Sequence, residues 1–306
     1  MANWKDLSDK LKEMIVKKMD IVTRTKLKMC SKADKVLVES VPIHFKMIRV
    51  ESDGDPVASR ANIYFLIGEL EIEKNGADLK ISRNGKTRVK SAPNQQKALE
   101  LALKYFNSIV FKGKVETDQF FVKNLNYPTT PFTSDSLINA KSVLTAFVDK
   151  DDCHKWLQHF SSDTEMLSIG FSDMFQGRIG GIEHIPVLMN AKNLRITGCP
   201  IDNDAIQYLN ATTLNLKHSM IGKVGLKKLI KKWIDEDYPI EASFSADYPD
   251  ITTLYQLVDG LDNFKKKYNM EGIKNAISIR LTSGKQMYLA EYDHFTHKEL
   301  HGWIHY

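Results

Sequence analysis

Residues 4–19 read WKDLSDKLKEMIVKKM, and this stretch decides how the N-terminal part of the chain folds. Leu7, Leu11, Ile15 and Met19 recur at every fourth position, and lysines fill several of the positions between them. Side chains four residues apart lie on the same face of an α-helix. The spacing therefore predicts an amphipathic first helix that buries one side.

Two further helices are predicted before residue 40. Thr23 is placed to cap a second helix, which would carry Leu27 and Cys30. The segment Ser31-Lys32-Ala33-Asp34 approximates a capping box in front of an apolar third helix. Such a small helical module has little core of its own, so its apolar edge should meet either a partner or the rest of the chain.

These residues resemble the F-box motif, especially its nematode form. The matching positions are Trp4-Lys5-Asp6-Leu7, Leu11, Ile15-Val16, Met19-Asp20, Thr23-Arg24, Leu27 and Cys30-Ser31-Lys32. The resemblance implies docking on a Skp-family adaptor and, through that adaptor, on a cullin scaffold. The pattern alone also fits a helical cap packed on the rest of the chain.

The resemblance also implies roles for individual residues. The positions implied to contact the adaptor are Trp4 at the flank, Leu7, Ser8, Leu11, Ile15, Val16 and Met19. Leu27 and Cys30 are implied to hold the module together. Ser8 departs from the motif, because most F-boxes have a proline there that pre-sets the first helical turn. We expect this departure to weaken docking without abolishing it, since the apolar anchors remain.

A polar break with glycine and proline, residues 51–56, predicts a linker after this module. We therefore place an F-box-like helical module at residues 1–48 and a target-recognition domain at residues 55–306. The second region opens with β-rich runs, and Asn84-Gly85 is a strong signal for a hairpin turn. The apolar spacing of residues 95–106 predicts a helix laid against that small antiparallel sheet.

Three segments further along the chain share the pattern L-x-[IL]. They are Leu167-Ser168-Ile169, Leu194-Arg195-Ile196 and Leu214-Asn215-Leu216. Their spacing is typical of a leucine-rich-repeat-like solenoid, in which each unit supplies one short strand and a return segment. Phe120-Phe121-Val122 and Val143-Leu144 are candidates for earlier, degenerate units. The predicted fold is an α+β or α/β solenoid: three helices, a mixed sheet and a repeat-like body.

The last part of the chain extends the resemblance. Residues 225–234 (GLKKLIKKWI) resemble a helix of nematode F-box-associated domains, and residues 276–289 predict a closing hairpin. A solenoid presents strand side chains along one face, where partner proteins bind. The residues that we expect to contact a target are Ser168, Arg195, Thr197, Asn215 and Lys217. The same residues would equally suit solvated strand edges.

Few residues suggest catalysis or metal binding. His294, His297, His301 and His305 would align on one face of a helix and could hold a metal, with Asp293 as the carboxylate that could complete the set. Cys153-His154 cannot act as nucleophile and base, because adjacent side chains point apart. We expect no catalytic residue, no bound metal and no cofactor.

Composition excludes several classes of protein. The 306 residues are 42% hydrophobic and 26% charged, as in an ordinary folded globular protein. The net charge of +5 comes from 43 basic residues interspersed with 38 acidic ones, which argues against a nucleic-acid-binding stripe. Charges throughout the N-terminal residues argue against a signal peptide or a spanning helix, and three scattered cysteines suit a reducing compartment. We expect a cytoplasmic or nuclear protein with no membrane partner.

These observations predict a substrate-recognition subunit of an SCF-type (Skp, cullin, F-box) ubiquitin ligase, and not an enzyme. The first alternative is a repeat-type interaction protein that is no longer coupled to a ligase, as the serine at position 8 suggests. The second is a metal-dependent enzyme that uses the C-terminal histidines.

Overall fold

The structure is a computed structural model. It describes residues 3–53, 62–110, 114–123, 137–147, 150–171, 184–219, 221–248, 253–260, 264–267, 275–293 and 298–306. The chain divides into two compact units, an N-terminal unit (residues 1–141) and a C-terminal unit (residues 142–306). No helix in the described ranges is both long enough and apolar enough to cross a membrane.

The described helices alternate with strands after the first 40 residues. The α-helices are α1 (Asp9–Lys18), α2 (Ile21–Lys28), α3 (Lys32–Ser40), α4 (Gln95–Val110), α5 (Lys150–Leu157), α6 (Pro186–Asn190), α7 (Lys223–Asp235) and α8 (Leu254–Val258). Short 3₁₀ helices lie at Trp4–Asp6 and Ala205–Tyr208. The strands are β1 (Ile43–Asp53), β2 (Asn62–Ile67), β3 (Leu70–Asn75), β4 (Asp78–Arg83), β5 (Lys86–Ser91), β6 (Val115–Lys123), β7 (Asn139–Phe147), β8 (Met166–Phe171), β9 (Asn193–Thr197), β10 (Thr213–Lys217), β11 (Ser243–Tyr248), β12 (Phe264–Lys267), β13 (Asn275–Arg280), β14 (Gln286–Asp293) and β15 (Lys298–His305).

The three N-terminal helices are confirmed, and each begins at a capping side chain. Ser8 caps α1, and Ser31 caps α3 as the sequence predicts. The predicted cap of α2 is wrong: the Asp20 carboxylate accepts the Thr23 N–H at 2.8 Å, so Thr23 already lies inside the first turn. Only Met19 separates Asp20 from the end of α1, so the Asp20 carboxylate caps α2 directly after the first helix ends.

The transition from helix to sheet comes earlier than the sequence indicates. β1 begins at Ile43 and pairs in parallel with β6 on one side and antiparallel with β2 on the other. The N-terminal sheet has the order β5-β4-β3-β2-β1-β6. Glu51–Asp53, which the sequence assigns to a linker, are therefore part of an internal strand, and the rest of that predicted linker lies outside the described residues. Polar residues can occupy the end of such a strand because one face reaches solvent.

The predicted hairpin and its helix are confirmed. Asn84 and Gly85 both have positive φ, 49° and 73°, as a two-residue hairpin turn between β4 and β5 requires. Helix α4 buries one apolar face, and its Phe106 stacks on Phe65 of β2 with ring centroids 4.6 Å apart. Tyr105, one residue earlier, is exposed, because Phe106 makes the contact with the sheet.

The C-terminal unit has a mixed sheet of order β7-β8-β9-β10-β11-β15-β14-β13-β12. The three L-x-[IL] segments form β8, β9 and β10, which pair in parallel with Leu167, Leu194 and Leu214 in register. Equivalent positions of the three segments therefore lie side by side and form rows across the sheet. β15, β14, β13 and β12 are antiparallel, including the predicted closing hairpin of β13 and β14. A mixed sheet is what the structure establishes; a repeat solenoid stays a prediction.

Helix α7, also predicted, packs at β11 on the same face of this sheet as the buried leucines. Its Trp233 stacks on Tyr238 at 4.3 Å and meets the edge of the Phe244 ring of β11 at 5.0 Å. Gly302 of β15 pairs with Phe244, and a Cβ at Gly302 would lie 2.1 Å from that ring. A glycine is required there because the aromatic ring takes the place of a side chain.

Candidate functional site

Helix α1 divides its apolar residues between two sides. Val16 is fully buried and forms a small core with Val38 and Val41. Leu11, Met14 and Ile15, which we call the α1 patch, remain 48%, 53% and 38% exposed. The three patch residues share one face because they are spaced by three and four positions. The buried side of α1 is therefore not the leucine stripe that the sequence predicts.

The predicted adaptor-binding residues accordingly fall into separate groups. Leu11 and Ile15 are exposed on the patch, and Leu7 just before the helix is half-buried. Trp4 and Met19 pack against the Val16 core. Since Val16 has no exposed surface in this conformation, it supports the helix from inside and offers nothing to a partner. The i, i+4 spacing predicts an apolar stripe on α1, but it does not determine which side of the helix is buried.

Ser8 begins helix α1 with a proline-like backbone angle. Its φ of −64° is the value that a proline ring imposes. Its Oγ accepts a hydrogen bond from the Leu11 N–H at 3.4 Å, so the serine caps α1 directly. The start of the patch-bearing helix is therefore defined without a proline.

A hydrogen-bonded cluster holds the chain start against α3. The Trp4 indole Nε1 donates to Asp34 Oδ1 at 2.8 Å, and the Ser31 hydroxyl donates to Asp34 Oδ2 at 2.7 Å. The Asp34 N–H donates in turn to the Ser31 Oγ at 3.0 Å. The hydrogen bonds from Ser31 and then from Trp4 lower the pKa of Asp34 below its ordinary value. Asp34 thus links the N-terminal turn to the third helix.

Arg24 of α2 is the polar centre of the helical segment. The residue is 2% exposed, and its guanidinium donates to the Val41 carbonyl at 2.7 Å, the Pro42 carbonyl at 2.9 Å and the Met19 carbonyl at 3.3 Å. Burial lowers the pKa of this guanidinium, although arginine stays charged at neutral pH. One side chain therefore ties the end of α1 and the end of α3 to α2.

The residues expected to stabilise the module differ in their burial. Leu27 packs on the Val16 core, as predicted. Cys30 does not, because it is exposed at the end of α2 and its Sγ contacts only the Lys26 carbonyl among the described contacts. An ion pair of Asp20 with Arg83 at 3.3 Å joins the helices to the sheet of the same unit.

The predicted target-binding residues lie together on one face of the C-terminal sheet. Ser168 pairs with Arg195, which pairs with Asn215, while Thr197 pairs with Lys217. They alternate with the buried leucines and isoleucines, so they point away from α7. We call the side chains on this side of the C-terminal sheet the polar face. Its contact with a target is a prediction that the structure does not test.

The polar face continues into aromatic residues that were not among the predicted target-binding positions. Ser243 of β11 pairs with Trp303 of β15, and Trp303 pairs with Tyr288 of β14. The two aromatic rings stack with centroids 5.6 Å apart and remain half-exposed. Their positions depend on how the strands pair. The pairing of β15 with β11 and of β14 with β15 brings Trp303 and Tyr288 beside the polar residues.

The two described C-terminal histidines, His301 and His305, do not lie on a helix. His301 and His305 belong to strand β15, while His294 and His297 lie outside the described residues. The His301 Nε2 contacts the Glu299 carboxylate at 3.1 Å. Within the described ranges, no three histidine, cysteine or acidic side chains are grouped so that they could hold a metal ion. The predicted helical alignment is therefore wrong for His301 and His305, and the prediction for His294 and His297 lies outside the described residues.

Comparison with known protein families identifies the helical segment. Residues 4–46 match the family model of the F-box domain, and the match includes α1, α2, α3 and the start of β1. F-box domains generally bind Skp-family adaptors. Neither a search of curated proteins nor a search of solved structures gives a match to this chain.

Proposed function

We propose that this protein is the substrate-recognition subunit of an SCF-type ubiquitin ligase. The F-box segment (residues 4–46) binds a Skp-family adaptor, which links it to a cullin, and the C-terminal unit holds a target protein. The observation that carries this proposal is the α1 patch, because an F-box match coincides with apolar side chains left exposed on a folded helix.

The proposed mechanism depends on position alone. The ligase complex brings a ubiquitin-carrying enzyme and the bound target together, which raises their effective concentration. No residue of this chain takes part in bond making, and substitutions act through binding. A cytoplasmic or nuclear location fits this role. The resemblance of the C-terminal region to nematode F-box-associated domains supports the role in target recognition.

Three features of the F-box segment support adaptor binding. The patch residues project from a helix whose start is capped by Ser8 and whose opposite side is anchored by Val16. Arg24 fixes the ends of the neighbouring helices. A preorganised apolar surface loses little conformational entropy on binding, so its few exposed side chains can act as hot spots.

The test is a binding titration of the full chain with a purified Skp-family adaptor. We expect the Leu11→Asp, Ile15→Asp double variant to lose at least about 100-fold in affinity, since two apolar anchors become charged. Val89→Asp is the control, because Val89 is an exposed apolar residue on β5, away from helix α1. No binding by the native chain would favour the alternative of an interaction protein uncoupled from a ligase.

A further inference from the structure

The polar face has a positively charged end. Arg195 is exposed on β9, and Lys217 lies half-buried on the neighbouring β10. The Arg195 Nε contacts the Thr197 hydroxyl at 3.4 Å, and neither Arg195 nor Lys217 forms an ion pair with a described carboxylate. These two cations therefore remain available to an acidic group.

The acidic side chains near this end already have partners. The Asp247 carboxylate accepts the His218 N–H at 2.6 Å and lies 3.7 Å from the His218 ring. Glu299 contacts His301 at 3.1 Å. Both carboxylates are largely buried, so the accessible charge at this end of the face is positive.

The other end of the polar face is aromatic. Trp303 and Tyr288 form the stacked pair, and Tyr292 meets the His301 ring at 4.6 Å with their planes inclined by 64°. Half-exposed tryptophan and tyrosine side chains offer a large rigid contact area and are the residue types most enriched at binding hot spots. This end suits a large aliphatic or aromatic side chain of a partner.

The two ends are separated by small polar residues. Asn193, Thr213, Ser243 and Trp303 form one row across β9, β10, β11 and β15. Three steps between neighbouring strands span roughly 14 Å, and Arg195 lies two residues further along β9 than Asn193. The backbone positions of Arg195 and Trp303 are therefore roughly 16 Å apart, which about five residues of an extended peptide can cover. Short side chains between the ends leave room for a peptide backbone and provide hydroxyl and amide groups to bond with it.

We infer that the polar face binds an extended segment of the target that carries an acidic side chain about five residues from a large apolar one. The acidic group contacts Arg195 and Lys217, and the apolar group packs on Trp303 and Tyr288. This inference rests on the proposed function in that it names the kind of target segment that the C-terminal unit holds.

The test uses the full chain and an array of synthetic peptides. Each peptide has a glycine and serine background with an Asp-Asp pair and one tryptophan, separated by an increasing number of residues. A matched series replaces Asp-Asp by Lys-Lys. We expect the acidic series to bind best at a separation of about five residues and the basic series to bind at least about tenfold more weakly.

Variants of the protein assign the two ends. Arg195→Glu with Lys217→Glu should remove the preference for the acidic series, whereas Lys231→Glu, an exposed charge reversal on α7, should leave it unchanged. Trp303→Leu should flatten the dependence on separation, and Tyr208→Ala is the control for loss of an exposed aromatic ring. Leucine keeps an apolar side chain at position 303, so the strand retains its packing.

Three outcomes would overturn the inference: no binding of either series, equal binding of both, or binding that the Arg195 and Lys217 variant leaves unchanged. Adaptor binding by the same preparation is measured in parallel. A chain that binds the adaptor but shows none of the expected peptide preference contradicts this inference alone. A chain that shows the peptide preference but binds no adaptor contradicts the proposed ligase role.

Discussion

The F-box segment and the C-terminal sheet expose opposite kinds of side chain. The F-box segment has a core of three valines and presents apolar residues on α1. The C-terminal sheet buries rows of leucine and isoleucine and presents polar and aromatic residues on its other face. A small module cannot bury all its apolar residues, so the patch remains for a partner, whereas a large sheet can bury them and vary its exposed face freely.

The two regions also differ in how buried polar groups are satisfied. Arg24 in the F-box segment is neutralised by no described carboxylate and donates to backbone carbonyls. Glu291 in the C-terminal unit is a buried carboxylate that accepts from the Tyr248 hydroxyl at 2.6 Å, the Leu254 N–H at 3.0 Å and Asn275 at 3.2 Å. Each such group joins several elements, so each is a point where its own region can be broken selectively.

The largest effect on stability is expected from Arg24→Met. The Val41, Pro42 and Met19 carbonyls lose their donor, and we expect the F-box segment to lose about 3 kcal/mol of unfolding free energy. Urea denaturation of the full chain, with hydrogen exchange to locate the change, measures this. Arg83→Met is the matched control, since it removes only a partly exposed ion pair with Asp20 and should cost less than about 1 kcal/mol. Equal losses in both variants would contradict the role given to Arg24.

Glu291→Gln should produce the corresponding effect in the C-terminal unit. The amide keeps the shape but loses charge-assisted hydrogen bonds and the ion pair with Lys298 at 3.4 Å, at a cost of about 2 kcal/mol. Hydrogen exchange should rise around β11 and β14, and adaptor affinity should not change. Glu236→Gln, a half-exposed acid on the C-terminal side of α7, should shift stability by less than about 0.5 kcal/mol. Loss of adaptor binding in Glu291→Gln would contradict the expectation that a change in the C-terminal unit leaves the F-box segment intact.

Val16 and Ile15 are neighbours on α1, but a substitution of Val16 should mainly lower stability, whereas a substitution of Ile15 should mainly lower adaptor affinity. Val16→Ala leaves a cavity in the valine core and should cost about 2 kcal/mol of stability, while its side chain cannot contact the adaptor. Ile15→Ala should change stability by less than about 0.5 kcal/mol but weaken adaptor binding about tenfold. Denaturation and binding titrations on the same two proteins make the comparison. If both variants lost the same affinity with no loss of stability, the division of α1 into two sides would be wrong.

Acid should loosen the contact between Trp4 and Asp34. Hydrogen bonds from Ser31 and Trp4 lower the pKa of Asp34 in the folded protein, so this contribution to stability is present above the ordinary value of 3.8 and is lost as pH falls through the lowered pKa. The indole N–H resonance of Trp4 should shift over that range. In Asp34→Asn the same resonance should show no titration below pH 3.8. A Trp4 resonance insensitive to acid in the native chain would show that Asp34 is not its partner.

Ser8→Pro should have the smallest effect. The φ of Ser8 already suits proline, so the gain in rigidity offsets the loss of a long hydrogen bond, and stability should change by less than about 0.5 kcal/mol. Adaptor affinity should stay within a few-fold of the native value. Ser8→Ala, which loses the cap without gaining rigidity, should be the less stable of the two. Strongly improved adaptor binding by Ser8→Pro would mean that the serine does weaken docking.

Local signals in the sequence predicted much of this structure. Capping by Ser31, the turn at Asn84 and Gly85 and the three L-x-[IL] strands were all correct, because each depends on residues close in the chain. The side on which Val16 lies could not be predicted, since its partners Val38 and Val41 come from a different helix and its end.

Long-range pairing explains what the sequence did not reveal. Glu51–Asp53 looked like a linker because their polarity hides the pairing of β1 with β2. Trp303 and Tyr288 come from two strands of one sheet and join the polar face only through β11. The histidine spacing suited a helix equally well, and only pairing with β11 and β14 makes residues 298–305 a strand.

Hydrogen exchange of the full chain with and without a Skp-family adaptor tests the central claim most directly. If the F-box segment is the adaptor-binding region, protection should increase over α1 and the residues before it, while the strands of the polar face exchange as in the free protein. Protection confined to the C-terminal sheet, or no change anywhere at saturating adaptor, would contradict the assignment of the two surfaces.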